Sequence, residues 1–426
     1  MHRVLILSYY FPPLGMGGTQ RIAGFARHLP AFGWQPHVLT VKPIAYYAED
    51  PSLLHGLDSV RITRTESLDP ARLLARMRSQ AQSRSSTHHG ASTWSRLLHR
   101  LVTLTMIPDS KILWLPFASR EATKILQREK FDLIFSSGPP HSAHMLAARL
   151  SQRFSIPWIA DMRDGWAGGN FQRGTALHRS IDTMLEKHIL SKANGIVCVS
   201  PGLRSLLRQR LPNMPAHTLI TNGYDRCDFE DTTPPDARFD IVFMGTTGNF
   251  VEATPILHAL KAFLQDLPLS PNQIHLQFVG ADLAGTLENA IAGTGLQDYV
   301  TCTGYLPHSQ AVAQLKSADL LLYLVTGSPT PDFVPGKTFE YLASGKPSLA
   351  ICPHIDGLRI LQRAGLTRHV LPDDVIGCVN ALRAFYTEFQ RGITPRADRS
   401  YIACFERNAL TAQLADFFNA VHESGT

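Results

Sequence analysis

Short apolar runs alternate along the chain with longer segments in which apolar residues recur every three or four positions. The runs are typical of buried strands, and the periodic segments are typical of amphipathic helices. In the first half, strands are predicted at Val4–Ser8, Pro36–Val41, Asp132–Ser136, Trp158–Ala160 and Gly195–Ser200. Helices are predicted between them at Thr19–Ala31, Ser142–Phe154 and His178–Lys192. This alternation predicts a parallel sheet whose strands are joined by crossover helices.

The same alternation begins again near residue 239. Its predicted strands are Phe239–Gly245, His275–Gly280, Val300–Thr303 and Leu320–Leu324. Its predicted helices are Thr254–Gln265, Ala284–Thr294 and Ser309–Lys316. A chain of 426 residues is also too long for one ordinary core. We therefore predict an α/β protein with two Rossmann-like domains.

The boundary between the two domains is predicted at residues 211–238, which lack both kinds of periodicity. This segment contains Pro212, Pro215, Pro234 and Pro235, and proline interrupts helices and strands alike. The prediction is an N-terminal domain of residues 1–210, an interdomain connection, and a C-terminal domain of residues 239–395.

The composition is that of a globular protein, with 44% hydrophobic and 18% charged residues. The six cysteines are scattered, without C-x-x-C or metal-ligand spacing. They predict reduced thiols in a cytoplasmic protein and no metal site. The N-terminal MHRVLILSYYFPP predicts a first strand rather than a signal peptide, and no apolar run is long enough for a transmembrane helix.

Positive charge is concentrated in residues 61–111, although the net charge of the chain is only +6. Nine Lys or Arg residues there face only Glu66, Asp69 and Asp109, and apolar residues with helical spacing lie between them. Such a stretch suits an anionic membrane surface. The alternative is a helix pair packed on its own domain with its arginines in water. No nucleic-acid motif accompanies the charge, so nucleic acid is not an expected partner.

A lysine, a glycine and two carboxylates lie close together in DFVPGKTFEYLASGKP, residues 332–347. Lys337 stands at the predicted start of a helix, where a cation and main-chain N–H groups form an anion site. Glu340 follows three residues later, and a carboxylate accepts two hydrogen bonds from sugar hydroxyls. Phosphate and ribose recognition in one segment suggests a nucleotide-sugar site. The alternative is a solvated i,i+3 pair of Lys337 and Glu340.

A glycine-containing turn follows the first predicted strand of each half. The first turn contains Gly15, Gly17 and Gly18, a spacing that differs from G-x-G-x-x-G and disfavours a simple dinucleotide enzyme. The second turn surrounds Gly245 in Phe243–Asn249. Such turns let a phosphate approach backbone N–H groups, and a tight turn without a ligand is the alternative.

Polar residues follow two further strands of the first half. His141 follows SSGPP at a strand end, the usual ligand position of an open α/β sheet. Asp161, Arg163 and Asp164 follow the next strand. Asp161 or Asp164 could orient an acceptor hydroxyl, and Arg163 could hold the loop or meet a phosphate. The alternatives are a histidine that caps local structure and a salt bridge within the loop.

Together these segments resemble family 4 glycosyltransferases, which are retaining enzymes of the GT-B fold. Residues 332–347 are similar to the family's donor-site signature, whose two acidic residues would be Asp332 and Glu340 here. Residues 160–166 are similar to the D-x-R-D-x-W element of bacterial polysaccharide-type members. Many members carry an arginine and then a lysine shortly after the second glycine turn, and this chain has neither near Gly245.

The resemblance implies a GT-B architecture of two domains that face each other across a cleft, with a C-terminal helix in residues 396–426 that packs back on the first domain. It implies catalytic or positioning roles for Asp332, Glu340, His141, Asp161 and Asp164. It implies donor binding by Gly17, Gly18, Gly245, Lys337, Glu340, Tyr305, Leu306 and Arg163.

The activity that the resemblance implies is transfer of a hexosyl or N-acetylhexosaminyl group from a UDP- or GDP-linked sugar, without a metal or other cofactor. The expected acceptor is a glycan or a lipid-linked molecule in surface polysaccharide or glycolipid assembly, at the inner face of the membrane. The first alternative is a sugar-nucleotide epimerase or hydrolase on the same scaffold. The second is a non-catalytic nucleotide-sugar-binding protein, which the missing basic pair after Gly245 favours.

Overall fold

The computed structural model describes residues 1–15, 17–43, 49–70, 106–168, 175–230, 237–248 and 251–425. The chain forms two compact units. Unit 1 contains Met1–Thr221 and Leu410–Thr426, and unit 2 contains Asn222–Ala409. Each unit is built on its own sheet, and every neighbouring pair of strands is parallel. The prediction of an α/β protein with two parallel sheets is confirmed.

The sheet of unit 1 has seven strands. They are β1 (His2–Ser8), β2 (Trp34–Val41), β3 (Arg61–Thr65), β4 (Leu133–Gly138), β5 (Trp158–Met162), β6 (Gly195–Cys198) and β7 (Ala216–Leu219). Their spatial order is β3-β2-β1-β4-β5-β6-β7, so the direction of strand addition reverses between β1 and β4. Open α/β sheets bind ligands beyond the carboxyl ends of the strands at such a reversal.

Helices join these strands. They are α1 (Gly17–His28), α2 (Leu115–Arg128), α3 (Ser142–Phe154), α4 (Ala176–Leu190) and α5 (Pro201–Arg210). Helix α1 ends before Pro30, and the rest of the predicted helix is a 3-10 helix at Leu29–Phe32 that closes at Gly33 with a φ of 82°. Helix α5 begins at Pro201, where the Ser200 hydroxyl caps it by accepting a hydrogen bond from the Leu203 N–H at 3.1 Å.

The sheet of unit 2 has six strands. They are β8 (Phe239–Met244), β9 (Ile274–Val279), β10 (Val300–Gly304), β11 (Leu320–Leu324), β12 (Ser348–Ile351) and β13 (Thr367–Val370). Their spatial order is β10-β9-β8-β11-β12-β13, with the reversal between β8 and β11. This is the strand order of a Rossmann fold, so the expected ligand position lies beyond the ends of β8 and β11.

The helices of unit 2 cover both faces of its sheet. They are α6 (Thr254–Asp266), α7 (Leu287–Thr294), α8 (His308–Ser317), α9 (Lys337–Ser344), α10 (Asp356–Arg363), α11 (Val375–Gln390) and α12 (Arg399–Ala403). Leu320 and Leu322 of β11 lie in one hydrophobic cluster, and Leu321 and Tyr323 lie in the other. Both faces of the strand are therefore buried, which explains its unbroken apolar run.

The last helix, α13 (Arg407–Gly425), brings the chain back to unit 1. Leu410, Leu414 and Phe418 lie one helical turn apart and join the cluster that contains Val4 of β1. The chain re-enters unit 1 at Leu410, so the predicted returning segment of residues 396–426 begins too early.

Residues 211–238 contain more structure than the predicted connection. Strand β7 pairs with β6, which places residues up to Thr221 in unit 1. A 3-10 helix follows at Arg226–Phe229 in unit 2. The apparent lack of periodicity reflects the shortness of both elements, because four residues are too few to show a hydrophobic pattern.

The basic stretch of residues 61–111 begins as a strand rather than a helix, since Arg61–Thr65 form β3 at the sheet edge. Its residues 71–105 lie outside the described part of the chain. Across the ranges that are described, no helix is both long enough and apolar enough to cross a bilayer.

Candidate functional site

Lys337 lies at the strand reversal of unit 2. As the first residue of α9, its Nζ donates a hydrogen bond to the Leu324 carbonyl oxygen at the end of β11, at 3.2 Å. The same nitrogen lies 4.1 Å from the ring centroid of Phe243 and 5.4 Å from that of Tyr323. Burial lowers the pKa of Lys337 to about 7. Among the described residues no carboxylate forms an ion pair with this amine.

The backbone of Gly245 lies beside the Lys337 side chain. Its φ of 142° strains any residue with a side chain, and a Cβ built there would lie 3.6 Å from Lys337 Nζ. Gly280 at the end of β9 has a φ of 140°, and a Cβ there would lie 2.0 Å from the Gly245 carbonyl oxygen. Glycine at both positions therefore keeps the backbone open beside Lys337. Gly280 was not predicted, because nothing local distinguishes it from an ordinary turn glycine.

Glu340 lies one turn after Lys337 and is 7% exposed. Its Oε1 lies 3.5 Å from Nδ1 of His308, whose Nε2 is 3.1 Å from Asp228 Oδ2. Burial opposes protonation of His308, but the two carboxylates outweigh it and raise its pKa. His308 thus orients Glu340. The sequence did not indicate this pairing, because residues 308 and 340 meet only through the packing of α8 on α9.

The remaining residues predicted for the donor site of unit 2 lie in loops. Tyr305 follows β10 and is 37% exposed, whereas Leu306 packs on the core. Asp332 lies in the loop between β11 and α9, and its carboxylate has no partner within the described ranges. Both loops follow the carboxyl ends of strands of the same sheet.

Asp161, at the end of β5 in unit 1, is fully buried. Its Oδ1 accepts a hydrogen bond from Arg21 Nη2 at 2.7 Å, and its Oδ2 accepts one from Ser137 Oγ at 2.7 Å. Arg21 also donates to the Ile220 carbonyl oxygen at 2.9 Å. Asp161 therefore joins α1, β4 and β5, and its burial does not fit the predicted role of orienting an acceptor. A buried charge needs such pairing, and its partner is Arg21 rather than the neighbouring arginine.

Arg163 is half-buried, and its hydrogen bonds go to backbone groups. Its guanidinium donates hydrogen bonds to the carbonyl oxygens of Gly18 and Pro139, which ties the first glycine turn to the loop after β4. A Cβ at Gly18 would lie 2.8 Å from Arg163 Nη1, so the guanidinium would have to shift to accommodate a side chain there. Of the two predicted roles for Arg163, these contacts favour holding the loop. Asp164 is half-buried and acts electrostatically on Arg163, and Gly17 is the first residue of α1.

His141 is 8% exposed and stacks on Trp166, with ring centroids 5.0 Å apart and an interplanar angle of 4°. Burial, followed by His144 and Arg163, lowers its pKa well below the usual value, so the ring is neutral at physiological pH. Its Nδ1 has no hydrogen-bond partner in the described chain. The sequence did not predict Trp166 as its support.

His144 lies one turn after His141 and is fully buried. Its Nδ1 lies 2.8 Å from Ser136 Oγ, and burial lowers its pKa to about 3. Nε2 has no partner among the described residues. A Cβ at Gly138 would lie 2.5 Å from this Nε2 and 3.2 Å from Nδ1 of His141. Two neutral ring nitrogens with unused bonding capacity therefore converge on Gly138.

Asp109 fixes the start of α3 directly after His141. It accepts hydrogen bonds from the N–H of Ser142 at 2.9 Å and from the Ser142 hydroxyl at 3.1 Å. Burial raises its pKa, although these bonds work in the opposite direction. Asp109 therefore caps a helix that is distant from it in sequence. Nothing in the sequence around Asp109 indicates this role.

Residues 16–223 match the sequence model of the family described as "Glycosyl transferase 4-like domain". The match covers the glycine turn, His141 and the Asp161–Asp164 loop. No curated protein sequence matches the chain.

Solved structures resemble the whole chain. Sucrose-phosphate synthase from Thermosynechococcus elongatus is similar with a TM-score of 0.64 at 18% identity, covering 100% of both chains. A glycosyltransferase from Rickettsia africae has a TM-score of 0.67 at 11% identity, covering 99% of this chain and 98% of that one. Anabaena HepE in complex with UDP and glucose has a TM-score of 0.66 at 15% identity, covering 99% and 100%. The fold is that of the GT-B glycosyltransferases.

Proposed function

We propose that this chain, which belongs to the glycosyl transferase 4-like family through residues 16–223, is a retaining glycosyltransferase. It transfers a hexosyl or N-acetylhexosaminyl group from a nucleotide diphosphate sugar to an acceptor hydroxyl. The observation that carries the proposal is Lys337, an amine without an acidic partner in the described chain, set against Gly245 at the strand reversal of unit 2.

A leaving diphosphate needs positive charge and N–H donors while the glycosidic bond breaks. Lys337 and the open backbone beside Gly245 supply both. In the absence of a ligand the lysine lies on aromatic rings and is largely neutral near pH 8, given its pKa of about 7. An arriving diphosphate stabilises the ammonium form, so binding recruits a proton along with the nucleotide.

The other donor contacts follow the same edge of unit 2. Glu340, oriented by His308, accepts hydrogen bonds from the ribose hydroxyls. Tyr305 offers an exposed ring to the base, and Leu306 supports it. Asp332 holds the donor sugar. UDP is the first nucleotide to test, because the similar HepE structure contains it, and GDP is the second.

Unit 1 contributes neutral hydrogen-bonding groups. His141, neutral and fixed by Trp166, offers an unused ring nitrogen to a sugar hydroxyl. The backbone of Gly17 and Gly18 lies at the start of α1, where N–H groups favour an anion. Of the two carboxylates in this loop, the half-buried Asp164 is the more accessible one to orient the acceptor, since Asp161 is fully buried.

A thermal-shift and calorimetric titration with UDP, GDP and their sugars tests the donor site. Wild type is compared with Glu340→Gln and with Glu288→Gln, an exposed carboxylate in the first turn of α7. We expect selective stabilisation by one nucleotide family, lost only in Glu340→Gln. Equal stabilisation of all three proteins would place the nucleotide elsewhere.

Product analysis separates the transferase from its alternatives. Release of free sugar or a new nucleotide sugar without any acceptor identifies a hydrolase or epimerase. Donor binding without turnover over a panel of glycan and lipid-linked acceptors identifies a nucleotide-sugar-binding protein. Retention is read from the anomeric configuration of the product by NMR.

An acceptor in surface polysaccharide or glycolipid assembly would bring the enzyme to the inner face of a membrane. A groove of about 570 Å³ lined by residues of α2 and α3 supports this part of the proposal. Arg120, Lys124, Arg149 and Arg153 line it together with Leu115. Four cations beside an apolar residue suit anionic lipid headgroups at a peripheral contact.

Cosedimentation with phosphatidylcholine vesicles, with or without phosphatidylglycerol, tests this contact. Reversing the charge of Arg120 and Arg149 to Glu is expected to weaken binding to anionic vesicles by at least about 30-fold, since each cation contributes about 1 kcal/mol. The matched control reverses Arg179 and Lys187, exposed cations on α4 of the same unit. Equal binding by the two double variants would remove the groove from the proposal.

A further inference from the structure

Two histidines and an aspartate meet on the surface of unit 1. His2 is the first residue of β1, Asp132 directly precedes β4, and His422 lies near the end of α13. One ligand atom from each side chain lies within 4.8 Å of the other two. Residues from the beginning, the first third and the end of the chain thus converge on one point.

Neighbouring residues hold the three side chains in place. The N–H of Arg3 donates a hydrogen bond to Asp132 Oδ2 at 2.7 Å. The His2 ring lies 5.0 Å from the Trp34 ring and 4.9 Å from the His422 ring, measured between centroids. Trp34 Nε1 in turn donates to Asn419 Oδ1 at 2.9 Å, which anchors α13 one turn before His422.

The group has unused bonding capacity. Nδ1 of His422 is buried and has no hydrogen-bond partner in the described residues. His2 Nδ1 and Asp132 Oδ2 are 3.8 Å apart, too far for a hydrogen bond. A buried imidazole nitrogen without a partner, next to a second imidazole and a carboxylate, is an arrangement that a bound cation would complete.

We infer that His2, Asp132 and His422 bind a divalent transition-metal ion, with zinc as the best match. Two imidazoles and a carboxylate are a common ligand set for Zn²⁺, at bond lengths of about 2.0–2.2 Å with water in the fourth position. Ligand atoms around such an ion are about 3.3–3.6 Å apart, so the 4.8 Å cluster must contract by about 1 Å. His2 is exposed and can make that movement.

The site is structural rather than part of the transfer reaction. His2 and Asp132 lie at the amino ends of β1 and β4, whereas the candidate active-site residues of unit 1 follow the carboxyl ends of β4 and β5. A metal here links α13 to the first and fourth strands. It fastens the returning end of the chain to the sheet and makes the packing of that helix dependent on metal.

Calorimetric titration with ZnCl₂ tests the site, using full-length protein purified without a polyhistidine tag and freed of metal with EDTA. We expect one zinc per chain, and an affinity at least about tenfold lower in His422→Gln and in His2→Gln. His188→Gln, an exposed histidine on α4, is the matched control and should bind as wild type does. The His2 variant is informative even if His422→Gln folds poorly, because His2 is on the surface.

A second readout locates the effect. At a zinc concentration 100 times the dissociation constant, the ratio of folded to unfolded protein should rise about 100-fold. Hydrogen exchange should slow within residues 407–425 in wild type and in His188→Gln, but in neither ligand variant. Absence of zinc binding, or equal zinc affinity in all four proteins, would overturn the proposal.

Discussion

Replacing Lys337 with methionine should stabilise the free protein and weaken its binding of nucleotide. The folded protein holds this amine against Phe243 and the Leu324 carbonyl, and burial lowers its pKa from 10.5 to about 7. The unfolded chain keeps the proton at the ordinary lysine pKa. Between these two values the unfolded state binds more protons, so the lysine destabilises the fold most at low pH, and stability rises as pH increases from 7 toward 10.5.

The magnitude follows from the pKa difference. At 1.36 kcal/mol per unit, a shift from 10.5 to about 7 corresponds to about 5 kcal/mol below pH 7 and about 3 kcal/mol at pH 8. Solvent contact of the half-buried side chain reduces this, and we expect Lys337→Met to gain about 2 kcal/mol at pH 8. The lost charge-assisted bonds to phosphate should cost about 1.5–3 kcal/mol of binding, or about 10- to 150-fold in affinity for UDP.

Two assays measure the opposing effects. Urea unfolding near pH 7 and near pH 9 should show that wild type gains stability with pH more steeply than Lys337→Met. Calorimetric titration with UDP in buffers of different ionisation enthalpy should show uptake of nearly one proton by wild type at about pH 8 and of none by the variant.

Lys346→Met is the control, because this lysine follows α9 in the same unit but lies at the opposite end of the helix. It should bind UDP as wild type does. If Lys337→Met also binds UDP with wild-type affinity, or binds without changing the proton uptake, Lys337 does not meet the diphosphate. If Lys337→Met is less stable than wild type at pH 8, burial of the Lys337 amine does not destabilise the folded protein.

Three further predictions concern residues around the two sites. Asp161→Ala leaves the Arg21 charge buried and unpaired, and should lower the free energy of unfolding by about 3–5 kcal/mol in urea titration. A loss below about 1 kcal/mol would contradict the pairing of Asp161 with Arg21. Gly280→Ala forces a Cβ to within 2.0 Å of a backbone oxygen at a φ of 140°, and should weaken UDP binding by about tenfold or more with the fold retained by circular dichroism. His308 has a raised pKa, so its contribution to the free energy of unfolding is complete below pH 6.5 and disappears as pH rises through the folded-state pKa. The loss of stability in His308→Gln should therefore be larger near pH 5.5 than near pH 8.5. Equal losses at the two pH values would refute the contact with Glu340.

The central strands were readable from the sequence because they are buried on both faces. β1, β4, β8 and β11 each contain a run of three or more apolar residues. Of the four edge strands, β10 was predicted and β3, β7 and β13 were not. β3 reads RITRT and β13 reads TRHV, and polar residues are tolerated there because an edge strand has one side open to solvent. The interior strand β12 was also not predicted, because its four residues are too few to show a pattern.

The residues of the candidate site also differ in how far the sequence predicts their neighbours. Lys337 and Glu340 were predicted to lie close together because they are one helical turn apart. Arg21 and Asp161 are 140 residues apart in sequence, and their contact depends on the packing of α1 against the ends of β4 and β5. A sequence gives the residue types but not this register, so Asp161 or Asp164 was predicted to orient an acceptor, and the pairing of Asp161 with Arg21 was not foreseen.

Two charged candidate residues of unit 1 make their contacts within that unit, and the proposed function therefore assigns the diphosphate to Lys337 of unit 2. Asp161 is paired with Arg21, and Arg163 donates to the carbonyl oxygens of Gly18 and Pro139. His141 is neutral at physiological pH because its pKa is lowered by burial. The neutral ring of His141 suits a sugar hydroxyl rather than a diphosphate. With no basic pair after Gly245, the proposed reaction relies on Lys337 and on backbone N–H groups to stabilise the leaving group. A single desolvated lysine with a pKa of about 7 meets this requirement by completing its protonation as the diphosphate binds, which limits the cost of a buried unpaired ammonium in the free protein.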